Sequence, residues 1–159
     1  MSEQRFSHLD ARGEARMVDV SEKQISRRVA EASCRIELAA ETVDRLGALP
    51  KGDAYATARL AGIQAAKRTW ELIPLAHPLP LDTVDVDIVP IEGGVEIRSR
   101  VVVTARTGAE LEALVACSTA ALALYDMVKS VERAAVVTDL RLEHKSGGRS
   151  GVYRRSDRC

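Results

Sequence analysis

The pair Asp126 and Lys129 is the chain's first candidate for acid–base chemistry. They follow a long uncharged stretch, Ala113 to Tyr125, and are three positions apart, so they share one face of a predicted helix. A carboxylate beside an ammonium group can have a shifted pKa and can transfer protons, and we expect packing against the domain to bury Asp126 partly and tune its pKa further. An ordinary surface ion pair is the alternative interpretation.

Two glycine-containing segments are suited to binding anions. Lys51-Gly52-Asp53 places a cation just ahead of a predicted helix, whose N-terminal amides and dipole favour negative charge. Residues 144–151 combine Lys145 and Arg149 with three glycines that expose backbone amides. A loop lysine beside a helix cap and a flexible basic tail are the alternatives, and no Walker A sequence is present.

A third candidate is His77, which Pro74 and Pro78 enclose in a stiff loop. A side chain that titrates near neutral pH suits acid–base catalysis or phosphate binding, and a stiff loop holds its ring in place. A partly buried, hydrogen-bonded histidine in a connection is the alternative. Glu110 and Glu112 lie in the first turn of the helix that carries Asp126, where the helix dipole alone would account for them.

The spacing of Glu112 and Asp126 has a consequence for assembly. The two residues are 14 positions apart on one predicted helix, or about 21 Å at about 1.5 Å per residue. A small nucleotide does not easily bridge that distance. If both residues contact one substrate, they come from different subunits, so we expect an oligomer with sites at its interfaces.

The elements that must position these residues follow from hydrophobic periodicity. Alternation predicts strands around Cys34 to Leu38 and Val84 to Ile88, a return strand through Val103, and a last strand from Val136 to Lys145. Helical patterns predict a short helix over 40–46, a helix over 53–72 capped by Asp53, and a long helix over 109–133. This order is typical of an α+β, ferredoxin-like split βαβ fold, an antiparallel sheet with two main helices on one face.

We interpret 1–28 as an irregular N-terminal arm ordered by another contact, such as a neighbouring subunit, and 29–159 as a single domain.

Composition narrows the classes of function. The 159 residues contain 23 Lys plus Arg and 23 Asp plus Glu, so no global field attracts nucleic acid or membrane, and anions must be bound by local cations. Aromatic residues make up 3% of the chain, too few for a base-stacking surface. The cysteines at 34, 117 and 159 form no CxxC pair, which predicts neither a zinc site nor a disulfide framework and favours a reducing cytoplasm.

These patterns leave the function open. They are compatible with an enzyme, with a ferredoxin-like module that senses a nucleotide without transforming it, and with a scaffold protein that docks through the alanine-rich helix. A ferredoxin-like fold does not choose among them.

Nearly the whole chain resembles the cyclic pyranopterin monophosphate synthase family, which acts in the second step of molybdenum-cofactor biosynthesis. The matching stretches are Gly13, Met17-Val18-Asp19-Val20, Lys51-Gly52-Asp53, Ala56-Thr57-Ala58-Arg59, Ala61-Gly62-Ile63-Gln64-Ala65-Ala66-Lys67-Arg68-Thr69, Ile73-Pro74-Leu75, His77-Pro78-Leu79, Thr107-Gly108, Glu110, Glu112-Ala113-Leu114, Tyr125-Asp126-Met127, Lys129 and Lys145-Ser146-Gly147-Gly148. Two positions depart from the family pattern: Ala76 stands where a cysteine is usual, and Arg149 stands where lysine is frequent.

The resemblance implies a cytoplasmic lyase, a phosphorus–oxygen lyase, that converts 3′,8-cyclo-7,8-dihydroguanosine 5′-triphosphate to cyclic pyranopterin monophosphate and diphosphate. It implies a homohexamer, a trimer of dimers with sites at subunit interfaces. It also implies that no cofactor is required and that there is no metal site, and it leaves open whether Mg²⁺ accompanies the triphosphate. Asp126 would be the catalytic acid/base, assisted by Lys129 and Lys51. The implied substrate-binding residues are Leu75, Ala76, His77, Leu111 and Glu112, together with Glu110 and the phosphate contacts Arg28, Lys67 and Lys145.

Overall fold

Five strands and four α-helices form the part of the chain that the computed structural model describes, residues 8–10 and 12–156. The strands are β1 (Ser26–Glu37), β2 (Leu81–Ile91), β3 (Gly94–Ala105), β4 (Val136–Ser146) and β5 (Tyr153–Arg154). The helices are α1 (Ala40–Arg45), α2 (Ala54–Ala66), α3 (Thr69–Leu72) and α4 (Glu110–Val128), and a 3-10 turn covers Leu46–Ala48.

The strands form one antiparallel sheet in the order β2-β3-β1-β4-β5. The first four strands in this order are compatible with the predicted ferredoxin-like split βαβ pattern. The short strand β5 pairs with the end of β4 through Lys145 and Tyr153, which the sequence did not predict, because the glycine- and serine-rich tail has no alternating hydrophobic pattern.

The core lies between the sheet and the two main helices. Cys34 and Ile36 on β1 and Ile97 on β3 are fully buried, while their neighbour Arg35 is exposed on the opposite face. Helix α4 packs over β1, β3 and β4, and α2 packs over β2 and along α4. The prediction of two main helices on one face is therefore confirmed. Helix α4 is long and apolar enough to cross a membrane by length and composition alone, but it serves here as the core helix of the domain.

Several element boundaries differ from those predicted. The helix expected over 53–72 is two helices, because Arg68 leaves helical geometry (φ −119°, ψ 16°) and the Thr69 hydroxyl donates to the carbonyl oxygen of Ala66 at 3.1 Å. Helix α4 ends at Val128 rather than near residue 133. Strand β1 begins at Ser26, so the last residues of the predicted arm are part of the sheet.

The two main helices approach closely at Gly62 of α2. A methyl group built on Gly62 would lie 2.8 Å from the backbone oxygen of Ala116 and 3.3 Å from the Cβ of Ala120. Ala54, Ala58 and Ala66, spaced at four-residue intervals from Gly62, are also buried. The small residues of α2 thus bring the two backbones together, as the sequence predicted, and fix the position of α2 along α4.

We expect Gly62→Ala to lower the free energy of unfolding by about 1–3 kcal/mol, because overpacking against a backbone oxygen outweighs the gain in helix propensity of about 1 kcal/mol. Denaturant titration at a fixed protein concentration measures this change. Gly47→Ala is the matched control, since a methyl group there meets nothing within 4 Å. Equal stability of the two variants would contradict the close-packing argument.

Candidate active site

Asp126 lies between two lysines near the C-terminal end of α4. The Lys129 Nζ is 2.6 Å from the Asp126 Oδ1, and the Lys51 Nζ is 3.9 Å from Oδ2. Lys51 also donates a hydrogen bond to the backbone carbonyl of Asp126 at 2.9 Å. Carbonyls in the last turn of a helix lack partners within the helix, so Lys51 stabilises this end while placing its charge beside the carboxylate.

The charge state of Asp126 is set by these lysines. The hydrogen bond and charge of Lys129, followed by the charge of Lys51, lower the pKa of Asp126, and the same pairing raises the pKa of Lys129. The expectation that Asp126 is partly buried is wrong for the single chain, since its side chain is 60% exposed at the helix end. Asp126 is therefore an ionised carboxylate at neutral pH, the form that accepts a proton.

A cavity of about 320 Å³ lies at the opposite end of α4. Six of the predicted substrate-binding residues line it: Leu75, Ala76, His77, Glu110, Leu111 and Glu112. They come from the proline-rich loop before β2 and from the first turn of α4, so the fold brings together two segments that are distant in sequence. The remaining lining residues are His8, Val18, Lys23, Leu79, Thr107 and Gly108.

Part of the predicted arm is held against this cavity by its own chain. The Nε2 of His77 donates to the backbone oxygen of Val18 at 2.9 Å, because a carbonyl oxygen can only accept. The Nε of Arg106 donates to the backbone oxygen of Lys23 at 3.1 Å. These contacts orient the His77 ring and form one wall of the cavity from arm residues.

Glu112 is the buried carboxyl group of the cavity, with a relative exposure of 4%. Burial raises the pKa of Glu112 to about 7, and the nearby charge of Glu110 acts in the same direction. Near neutral pH this side chain is present in both forms. It can donate a hydrogen bond as an acid or accept one as a carboxylate.

The three predicted phosphate contacts are Arg28, Lys67 and Lys145. Arg28 of β1 donates hydrogen bonds at 3.1 Å to the backbone oxygens of Ala105 and Arg106, which immediately precede the cavity residue Thr107. The Lys145 Nζ is 2.9 Å from the Glu110 Oε1, which joins β4 to the first turn of α4. Lys67 is exposed where it caps the C-terminus of α2.

The single chain does not unite the two groups of residues. Lys51, Asp126 and Lys129 lie at one end of α4, and the cavity of His77 and Glu112 lies at the other end. Glu112 and Asp126 are 14 residues apart on one continuous helix, which corresponds to about 21 Å.

The MoaC family profile matches residues 17–148, which include both groups. The chain belongs to the MoaC family.

Curated relatives cover most of the chain. A cyclic pyranopterin monophosphate synthase of Streptomyces griseus is 51% identical over 157 residues, covering 98% of this chain and 89% of the relative. A protein of Mycobacterium bovis named cyclic pyranopterin monophosphate synthase 1 is 54% identical over 154 residues, with 95% and 91% covered. The synthase of Thermomicrobium roseum is 53% identical over 156 residues, with 96% and 94% covered.

Sequence reasoning assigned no role to several lining residues of this MoaC-family cavity. Val18, Thr107 and Gly108 lie in stretches that match the family pattern, so a signal for them was present. Lys23 lies outside those stretches and was not singled out. No group of three or more His, Cys, Asp or Glu side chains is arranged to hold a metal ion within 8–10 and 12–156.

The raised pKa of Glu112 predicts a pH-dependent stability. An acid whose pKa rises on folding stabilises the native state fully below its ordinary pKa, about 4.5, and this contribution is lost as the pH rises through about 7. We expect Glu112→Gln, which cannot ionise, to gain on the order of 2–3 kcal/mol relative to the native protein between these pH values, since one pKa unit corresponds to about 1.4 kcal/mol.

Urea denaturation of both proteins from about pH 4.5 to 8 measures this difference. Glu41→Gln, on the exposed side of α1, is the control and should leave the pH profile unchanged. A constant difference between Glu112→Gln and the native protein across this range would rule out the burial effect.

Proposed function

We propose that this chain is a cyclic pyranopterin monophosphate synthase, which converts the cyclised GTP derivative to cyclic pyranopterin monophosphate and diphosphate in molybdenum-cofactor biosynthesis. The observation that carries the proposal is that relatives of this name are more than half identical over almost the whole chain. The ionised Asp126 with two ammonium groups within 4 Å supports it independently.

The proposed reaction opens the imidazole ring of the purine, forms new rings, and ends with attack of a sugar hydroxyl on the α-phosphorus. The ring steps are proton transfers, which Asp126 performs as the catalytic acid/base, starting as the carboxylate that its lowered pKa favours. Lys129 and Lys51 assist, and their positive charges stabilise negative charge that develops nearby. Departure of diphosphate from phosphorus makes the enzyme a phosphorus–oxygen lyase.

The cavity at the N-terminal end of α4 is proposed to bind the substrate. Leu75, Ala76 and Leu111 supply apolar contacts, while His77 and Glu112 supply hydrogen-bonding groups. Four further residues, Glu110, Arg28, Lys67 and Lys145, complete the proposed set. In this role the two protonation states of Glu112 allow it to donate or accept as the ring system changes.

An active site that contains both Glu112 and Asp126 requires two subunits. The separation of about 21 Å along α4 supports this, since a small nucleotide does not span one helix lengthwise. We therefore propose a homohexamer, a trimer of dimers with active sites at subunit interfaces, in the cytoplasm. We propose that the reaction requires no resident cofactor. Turnover measured with and without a chelator tests whether Mg²⁺ must accompany the triphosphate.

Asp126→Asn keeps the shape of the side chain and removes its charge. We expect turnover to fall at least about a hundredfold, the loss expected for a general acid/base, with the assembly unchanged. Incubation with the cyclised GTP derivative and detection of diphosphate measures turnover, and light scattering measures the assembly. Asp87→Asn on β2 is the control, because Asp87 is exposed on the sheet face away from the helices. Substantial diphosphate release by Asp126→Asn would refute the role, and binding without release by the native chain would indicate a nucleotide sensor.

Mixed assemblies test whether one site uses two subunits. Glu112→Gln and Asp126→Asn chains, each inactive alone, should regain activity when co-assembled, because some interfaces combine both native residues. Random mixing in equal amounts gives at most about one quarter of the native activity. Each site takes Asp126 from one subunit and Glu112 from another, and each of these subunits carries the native residue in about half of the cases. Co-expression with two different tags isolates the mixed assemblies. Activity no higher than that of the separate variants would contradict a shared site.

A further inference from the structure

Asp53 caps the N-terminus of helix α2, two positions after the lysine that reaches Asp126. Its carboxylate oxygen Oδ1 accepts hydrogen bonds from the backbone N–H groups of Tyr55 at 2.9 Å and Ala56 at 3.1 Å. Its backbone carbonyl accepts from the backbone N–H and from the hydroxyl of Thr57, at 3.1 Å and 2.9 Å. The first N–H groups of a helix have no partner within the helix, so this cap determines where α2 begins.

Lys51 lies in a tight turn directly before the cap. The backbone N–H of Gly52 donates to the carbonyl oxygen of Leu49 at 2.8 Å, which closes a four-residue turn with Pro50 and Lys51 at its two central positions. The ring of Pro50 restricts the backbone before Lys51, and Gly52 takes φ 110°, which favours glycine. Leu49 is buried in the core. The backbone of Lys51 is therefore held by the core on one side and by Asp53 on the other.

The side chain of Lys51 extends from this turn to α4. Its Nζ donates to the backbone oxygen of Asp126 at 2.9 Å and lies 3.9 Å from Oδ2 of the same residue. The Lys51 side chain is 47% exposed, so its placement depends on the backbone from which it extends. In the part of the chain that the structure describes, no ion pair joins Asp53 to Lys51. The influence of Asp53 on Lys51 is therefore transmitted by the backbone.

Resting on the proposed function, we propose that Asp53 is a positioning residue, which by capping α2 holds the turn from which Lys51 reaches Asp126. Loss of the cap lets the first turn of α2 open, and the backbone of 51–53 then moves relative to the end of α4. A displacement of about 1 Å in an active site can lower the rate about a hundredfold, although the displaced group keeps its chemistry. In this role Asp53 acts through Lys51 and contacts no reacting atom.

Two substitutions of Asp53 separate the cap from the charge. Asparagine is as effective as aspartate at a helix N-cap, whereas alanine offers no acceptor. We expect Asp53→Ala to lower kcat about tenfold or more and to leave KM nearly unchanged, because Lys51 assists the chemical steps. We expect Asp53→Asn to keep most of the native kcat. Diphosphate release over a range of substrate concentrations separates kcat from KM.

Ile97→Val is the control for a general loss of stability. It removes one methylene from the buried core and should leave kcat unchanged. Equal losses of kcat in Asp53→Ala and Asp53→Asn would overturn the inference, since the charge of Asp53 rather than its capping hydrogen bonds would then matter. A loss of kcat in Ile97→Val equal to that in Asp53→Ala would also contradict it.

Competitive acetylation measures the placement of Lys51 directly. An amine that donates a hydrogen bond to its neighbours is less accessible to an acylating reagent than an amine free in solvent. With trace acetic anhydride and peptide mass spectrometry, we expect Lys51 to react about threefold faster in Asp53→Ala than in the native protein, and at the native rate in Asp53→Asn. Lys67, at the other end of α2, is the internal reference and should react equally in all three proteins.

The outcome of the labelling is separable from that of the proposed function, because acetylation requires no turnover. Labelling of Lys51 that is unchanged in Asp53→Ala, or that rises equally at Lys67, would reject the positioning role even in a protein that makes the cyclic product. Faster labelling of Lys51 alone, in a protein whose native form makes no product, would support the positioning of Lys51 and reject the proposed function.

Discussion

The rigid length of α4 is the constraint on which the rest of the structure depends. This helix is buried against three strands and cannot shorten or bend without opening the core. It therefore keeps the carboxylate of Asp126 at one end and that of Glu112 at the other, about 21 Å apart. The chain carries two separate groups of candidate residues, which the proposed function treats as half-sites that neighbouring copies combine into a complete site.

Lysines flank helix α2 at both of its ends. Because α2 runs antiparallel to α4, Lys51, just before α2, reaches Asp126, whereas Lys67, just after it, lies toward the cavity end. The contact at Gly62 fixes how far α2 is displaced along α4, so it also fixes the position of Lys51 relative to Asp126. The small residues of α2 therefore determine both the packing of the two helices and the distance between Lys51 and Asp126.

Hydrophobic period and capping residues were sufficient to predict most of the sheet, the cap at Asp53 and the two main helices. These sequence patterns did not predict the places where tertiary contacts determine the backbone conformation. Those places are the break between helices at Arg68, the strand β5, and the arm residues that Arg106 and His77 bind. Of the candidate site, the closeness of Asp126 to Lys129 followed from helical spacing alone. The contact with Lys51 and the cavity around His77 required the resemblance to a known family, because they join segments far apart in sequence.

The two half-sites differ most in how they set the charge of a carboxyl group. Exposure and two lysines lower the pKa of Asp126, whereas burial raises the pKa of Glu112 to about 7. When two titratable groups lie in different environments, their pKa values differ. The group with the higher pKa can then act as the acid, and the group with the lower pKa as the base. The fold creates the two environments at opposite ends of one helix. In the proposed assembly, an interface that brings Asp126 of one copy to Glu112 of another would pair an ionised carboxylate with a carboxyl group that can still supply a proton near neutral pH.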